Sequence, residues 1–405
     1  MTVAAPPQGR AAVRRLSLAR VTSAAGSQAA RTALVFHIYD RTKSASWVTA
    51  VLLADMATMA ALGPLAGWLG DRADRRRVMI GSELAAAIVY LGLVPVHAPV
   101  LLVVGATIAT AVNSPFLPTS SAAIPNLVDS DDLRWANSRM SLSSNGALII
   151  GPMIGGWLLA LTNLGAVFAV NAVSFALSAV VIREVNGRFA AGAYHEGSGM
   201  RDGYRVIAKS RVILMVTLAL ALTHLTFGLA LVADPVLADD YHAGAIGYAM
   251  FYSTWGVVAL FGAWLAGRNV PEQRVPYGVL AGLAAIAGAC AAISLLHSFW
   301  WMVAVGSLGG VGSGIVFPLT TGIIQQHSPD HVRARVFGAI DTFDRSMYAV
   351  GMLVAAPLVG SLGAQPTYAV IAALIAVTTV GLAGLPAAVR ASASPGRDRT
   401  ATVGR

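Results

Sequence analysis

Stretches of about 20 mostly apolar residues recur from one end of this 405-residue chain to the other, with no room between them for a sizeable soluble domain. A stretch of that length crosses the hydrocarbon core of a bilayer as a helix. The composition demands such a solvent. Hydrophobic residues make up 56% of the chain and charged residues only 12%, about half the share in a soluble domain. Lipid offers no water to backbone polar groups, so only helices and closed barrels span it. The apolar runs are too long and too uniform for the alternating strands, about ten residues each, of a barrel. The expected fold class is an all-α membrane protein.

Twelve spans are read, at about 16–39, 46–70, 78–96, 99–124, 138–161, 163–183, 211–233, 244–267, 276–296, 298–323, 337–360 and 366–388. The first is the least apolar, holding Arg20, Arg31 and several Ser, Thr and Gln. It is retained because the charge pattern needs it. An even number of spans leaves both termini on one side. Arg and Lys then collect on that side: Arg10, Arg14, Arg15 and Arg20 in the N-tail and the opening turns of the first span, Arg72 and Arg75 to Arg77 after the second, and further groups at every later connection on the same face. Only Arg31, Arg41, Lys43 and Arg345 fall elsewhere. Positive charge in short loops stays cytoplasmic, so both termini are expected inside a cell membrane. The net charge of +9 then faces anionic lipid headgroups, and no nucleic-acid partner is expected. No short apolar core with a small-residue cleavage site follows Arg10, Arg14 and Arg15, so no removable signal peptide is expected.

The longest internal connection, rich in Gly and charge, divides the spans six and six. The expected organisation is an N-terminal six-helix bundle over 1–184, a cytoplasmic linker over 185–210 and a C-terminal six-helix bundle over 211–405. The halves echo each other. Asp-Asp-Leu-Arg at 131–134 precedes the fifth span and Asp-His-Val-Arg at 330–333 the eleventh. Internal repeats of this kind are typical of transporter folds.

Two motifs carry a family resemblance. The connection after the second span reads GPLAGWLGDRADRRR from Gly63 to Arg77. Gly63 and Gly67 are spaced for close helix approach, and Asp71 sits at the cytoplasmic edge beside Arg72 and Arg75. In the fifth span, Gly151-Pro152-Met153-Ile154-Gly155-Gly156 combines a potential kink with a small-residue seam. The first resembles the signature loop of the major facilitator superfamily, the second the Gly-Pro-x-x-Gly-Gly element of its antiporters. Tyr39-Asp40-Arg41-Thr42, Ala123-Ile124-Pro125-Asn126-Leu127-Val128 and Arg134-Trp135-Ala136-Asn137 add a similarity to the drug-exporter branch that includes macrolide and enterobactin exporters. The resemblance implies twelve helices in two pseudo-symmetric six-helix bundles and an Asp71–Arg335 charge latch. It implies spans 3, 6, 9 and 12 on the lipid side. One departure stands out: relatives often carry an acid after the glycine of the first span, whereas Gly26 is followed by Ser27 and Gln28.

Charges inside spans are costly, about 2.5–3.5 kcal/mol each at mid-bilayer on insertion scales, and so mark function. They are Arg31, Asp55, Asp341, Asp344 and Arg345, with Glu83 of the third span near its cytoplasmic end. Asp55 is read either as a proton or cationic-substrate site or as a fixed ion pair with Arg31. Asp341 and Arg345, four apart on one helix face, are expected to neutralise each other, which leaves Asp344 the freer acid. His37 and His224 are read as packing residues. Asp234-Pro235 is read as the end of the seventh span, leading into a solvated acidic loop.

Enzyme signatures are missing. GYRVIAKS at 203–210 nearly fits a phosphate loop but has Ala208 in place of its second glycine and no strand before it. Cys290 is alone in an apolar run, so neither a disulfide, a metal site nor a cofactor is expected. The resemblance implies export of a small amphipathic or hydrophobic compound by proton antiport and alternating access, from a monomer whose partners are substrate, protons and lipid. Uptake of a polar metabolite by the same fold is the first alternative, and a non-transporting membrane receptor or scaffold the second.

Overall fold

The computed structural model describes residues 7–129, 132–185, 201–268, 271–329 and 332–392. Residues 186–200 of the expected linker lie outside the described residues. The regular structure is entirely helical: α1 (Pro7–Thr42), α2 (Ala45–Arg72), α3 (Arg75–Leu93), α4 (Pro99–Asn113), α5 (Phe116–Ala123), α6 (Leu133–Leu161), α7 (Leu164–Arg183), α8 (Arg201–Lys209), α9 (Arg211–Asp240), α10 (Gly244–Ala266), α11 (Val275–Leu295), α12 (Phe299–Gly306), α13 (Leu308–His327), α14 (Arg333–Leu362), α15 (Ala364–Gly381) and α16 (Leu385–Ser392). Residues 203–210, the near-match to a phosphate loop, lie in and just after α8.

Ten stretches among the described residues are long and apolar enough to cross a membrane. The other two expected spans are also helical but more polar. α1 mixes Arg31 with Ser, Thr and Gln, and α3 opens on Arg75, Arg76 and Arg77 and holds Glu83.

Two connected stretches are each broken into two helices. α4 gives way to α5 at Ser114-Pro115, where the proline has no N–H to continue the ladder. α12 gives way to α13 at Ser307. These are the fourth and tenth expected spans, so a break recurs in corresponding spans of the two halves, after 15 residues in one and 8 in the other.

The residues pack as two compact units. One is Met1–Glu196 with Pro235–Ser253, the other Gly197–Asp234 with Thr254–Arg405. In the first, α1 lies against α6, α7 and α2, and α3 against α7 and α4. A core at its polar end joins Val13, Leu16 and Ala19 of α1 to Met79 of α3, Phe116 of α5, Ala136 and Met140 of α6 and Ile182 of α7.

Apolar residues also point outward in stripes at helical spacing. They are Leu84, Ile88 and Leu91 on α3, Val170, Val173, Leu177 and Val180 on α7, and Val377 and Val380 on α15. Water would penalise such stripes, whereas lipid accepts them. The chain is a multi-pass membrane protein, and spans 3, 6 and 12 carry the lipid-compatible faces.

At its polar end, the first unit is tied by charge. Arg10 donates from Nε and Nη2 to the two carboxylate oxygens of Asp132, at 3.0 and 2.7 Å. Its guanidinium also lies 5.6 Å from the Trp135 ring centroid. The arginine holds the Asp132 carboxyl below the usual carboxylate range. A depressed carboxyl contributes above its unfolded pKa of about 3.9, and the contribution fades as pH falls through the lower folded value. Arg10→Gln is therefore expected to lower the melting temperature slightly near neutral pH, with the difference from wild type vanishing below about pH 3. A melting series in detergent across that range checks it.

In the second unit, α11 lies against α13 and α15, and α8 against α14. A side chain at Gly203 would meet the backbone carbonyl of Arg335, so glycine is what lets α8 lie on the start of α14. One expectation is corrected here. Pro235 does not end the seventh span: α9 continues through it to Asp240. Asp234 is buried inside the unit, not solvated in a loop, and accepts a hydrogen bond from the Tyr368 hydroxyl of α15. A proline removes only one helical hydrogen bond, which a membrane helix tolerates near its end.

Candidate functional site

The first unit carries three groups of interest. Arg31 of α1 and Asp55 of α2 form an ion pair at 3.4 Å, with side chains 36% and 24% exposed. The two helices are joined by a two-residue link at Lys43-Ser44, so their adjoining halves stay together. Thr110 Oγ1 of α4 donates to Asp55 Oδ1 at 2.6 Å. Asp55 thus has a fixed cation and a fixed hydroxyl.

The second group is the seam of Gly151, Gly155 and Gly156 on α6. A Cβ at Gly151 would meet Gln28 and the backbone of Ala25 and Ala29. One at Gly155 would meet only backbone atoms of Ala29. One at Gly156 would meet Ala245 and Ala249 on another side. These glycines let α6 touch α1 main chain to main chain. Pro152 lies within the continuous helix α6. Gly63 behaves otherwise. It is exposed, and a Cβ there meets no described atom within 4 Å, so the close approach expected at Gly63 is not made.

The surroundings of Gly67 and the side chain of Asp71 lie outside what is described, so the expected latch has no described geometry on that side. Arg72 is exposed at the end of α2, while Arg75 is buried. Arg76 donates to the Val185 carbonyl, which ties α3 to the end of α7.

The third group was not read as a site from sequence. Glu83 of α3 is completely buried. Its Oε1 accepts from Ser23 Oγ of α1 at 2.9 Å and from Asn113 Nδ2 of α4 at 3.3 Å. Its Oε2 has no hydrogen-bond partner among the described residues. The signal available in the sequence was a carboxylate on the buried face of a span, two turns beyond the basic run.

In the second unit, Arg345 Nε donates to Asp341 Oδ2 at 2.8 Å, and both side chains are more than 60% exposed. Asp344, on the same helix, is buried, and its Oδ2 lies 3.6 Å from Nδ1 of His224 on α9. His224, read from sequence as packing, is thus the described neighbour of the freer acid. Around them gather aromatic rings from three helices. His224 and Phe317 centroids are 5.5 Å apart, Phe227 and Phe317 6.1 Å, and Phe227 and Trp255 6.2 Å with near-perpendicular planes. Trp255 Nε1 donates to Ser313 Oγ at 3.2 Å, which fixes the indole. Phe227, Trp255 and Phe317 are all half-buried, so part of each ring stays open. Among the described residues no group of three or more His, Cys, Asp or Glu is placed to hold a metal.

The comparisons agree with this architecture. The Major Facilitator Superfamily family model matches residues 16–352 and 218–403. The uncharacterized MFS-type transporter YfiS of Bacillus subtilis is 35% identical over 121 residues, 30% of this chain and 29% of its own length. The multidrug efflux pump Tap of Mycobacterium tuberculosis is 24% identical over 409 residues, 95% of this chain and 96% of its own. A crystal structure of a POT family transporter in complex with 5-aminolevulinic acid superimposes with a TM-score of 0.72 at 14% identity, covering 93% of this chain and 96% of that one. These proteins are transporters rather than enzymes.

Proposed function

The chain belongs to the major facilitator superfamily and is a membrane transporter, and on that premise we propose that it exports small amphipathic compounds, organic cations foremost, from the cell by proton antiport. The two six-helix halves, 1–184 and 211–405, alternate access across the cell membrane, with 185–210 as cytoplasmic linker and both termini inside. The observation that carries the reading is the half-open aromatic group of Phe227, Trp255 and Phe317 beside the buried carboxyl of Asp344. Pockets for apolar ligands are lined by aromatics with a few placed polar groups. Aromatic faces attract a cation by about 0.5–2 kcal/mol each, most when desolvated, and the acid supplies its counter-charge. Full-length similarity to a multidrug efflux pump supports the direction and breadth of cargo.

The test is a proteoliposome assay with a fluorescent lipophilic cation and an imposed pH gradient. Wild type is expected to accumulate the dye on the acidic side. Trp255→Ala should weaken dye binding by roughly 3- to 30-fold, the range that one cation–π contact implies. Asp344→Asn should weaken the cation yet spare a neutral analogue of the same shape. Equal losses for both compounds would remove Asp344 as counter-charge, and no movement of either compound would sink the exporter reading.

A further inference from the structure

We infer that Glu83 is the carboxyl that binds the coupling proton, in a polar pocket enclosed by α1, α3, α4 and α7. The inference rests on the proton-antiport reading and adds the group that carries it.

The pocket is built, not accidental. Ser23 of α1 and Asn113 of α4 both donate to Glu83 Oε1, while Oε2 is bare. Ser178 of α7 is fully buried on the face of that helix that meets α1 and α3, and its hydroxyl stands beside the same Glu83 carboxyl. One to two turns along α7, Asn171 Nδ2 is buried and unpartnered as well. Ser174 and the Asn171 amide oxygen crowd Gly26 of α1, the glycine before Ser27. α4 breaks directly after Asn113, which leaves that amide at a helix end facing α3.

No cation is among the described contacts of Glu83. On α1, Arg20 lies one turn before Ser23 and donates to Ser121 of α5. Arg31 is two turns beyond Ser23 and pairs with Asp55 of α2. On α3 itself, Arg75 to Arg77 stand two turns earlier, with Arg76 on the Val185 carbonyl. α7 offers Arg183, with Glu184 just after it, at its C-terminal end beyond Ser178, and neither is a described contact of Glu83, while α4 and α5 offer no charge. A carboxylate with one bare oxygen and no cation is a poorly solvated anion. Its protonated form is neutral and needs only one acceptor for the new O–H. The balance is simple: a hydronium ion gives its proton to Oε2 and leaves as water when the pocket opens to the acidic side, and the carboxyl returns that proton to a water molecule when the pocket opens to the other side. Asp55, in contrast, has Arg31 beside it at 3.4 Å. The acid missing after Gly26 is thus supplied from α3 against the same stretch of α1, one turn before Ser27.

The test uses the full-length protein in proteoliposomes with a fluorescent lipophilic cation. Glu83→Gln keeps an oxygen for Ser23 and Asn113 and resembles the protonated acid, so the fold is retained. Gradient-driven accumulation should fall at least tenfold, while counterflow exchange at equal pH stays within about twofold and loses its pH dependence. Difference infrared spectra of wild type should show a protonated-carboxyl band that titrates, is absent in Glu83→Gln and shifts in Glu83→Asp. Glu83→Gln with wild-type gradient-driven accumulation, or spectra without that band, overturns the assignment and leaves the exporter reading intact. A wild type that exchanges the cation but ignores the gradient overturns proton antiport and this assignment together.

Discussion

Gly155→Val is expected to cut the yield of folded, monodisperse protein several-fold and to lower its melting temperature in detergent, while Gly63→Ala leaves both unchanged or raises them. Both positions are helical glycines in motifs with the same small-residue spacing. What separates them is the neighbour. A Cβ at 155 would enter the main chain of Ala29, and main chain cannot turn aside as a side chain can. α1 is held in place from other sides too, by α7 and α2, so it cannot retreat alone. Overpacking of a filled site costs about 1–3 kcal/mol even when side chains can adjust. With total stabilities of about 5–15 kcal/mol, a cost at or above that range is readily seen. At Gly63 the added methyl meets open space, and alanine favours helix over glycine by up to about 1 kcal/mol. Size-exclusion profiles and thermal melts of the two variants beside wild type check the pair. A Gly155→Val protein with wild-type yield and melting temperature would refute the packing account.

That contrast shows what the sequence made legible. Composition settled the solvent and the helical class, because every uniformly apolar run of spanning length has one way to satisfy its backbone in lipid. The outward stripes on α3, α7 and α15 follow from the same logic. Arg31 with Asp55 was also legible: two opposite charges inside adjacent spans, joined by a short link, have few other partners in lipid. Glu83 was not, because its donors come from Ser23 and Asn113, residues with no charge and no motif, brought in from other helices. Asp344 beside His224 is a pairing across more than a hundred residues. Asp234 was misread because the proline after it suggested a helix end, when the burying partner, Tyr368, lies 134 residues away. Small-residue motifs were visible, but which glycine touches a backbone depends on helix register, which spacing alone does not fix.

Neutralising Arg31 and Asp55 together is expected to restore most of the gradient-driven efflux that either single change removes. Arg31→Gln leaves Asp55 with only the Thr110 hydroxyl among the donors described for it, and Asp55→Asn leaves a membrane-embedded guanidinium without its carboxylate. An uncompensated charge at mid-bilayer depth costs about 2.5–3.5 kcal/mol on insertion scales. Both side chains keep some exposure, so the effect falls below the 3–5 kcal/mol seen when a fully buried pair is broken. A loss of roughly tenfold in efflux for each single variant, and a double variant within about threefold of wild type, corresponds to a coupling of about 2–3 kcal/mol, at the upper end of the range for residues in contact. The measurement is a double-mutant cycle on gradient-driven transport, with cation binding followed in parallel. The cycle also separates the two roles open to Asp55. A fixed ion pair is dispensable as a pair, whereas a proton carrier is not. If Arg31→Gln with Asp55→Asn binds cargo normally but no longer responds to the pH gradient, Asp55 carries the proton. If the double variant responds, the carboxyl that must be kept is one without a resident cation, and Glu83 is the buried acid in the same unit that meets that condition.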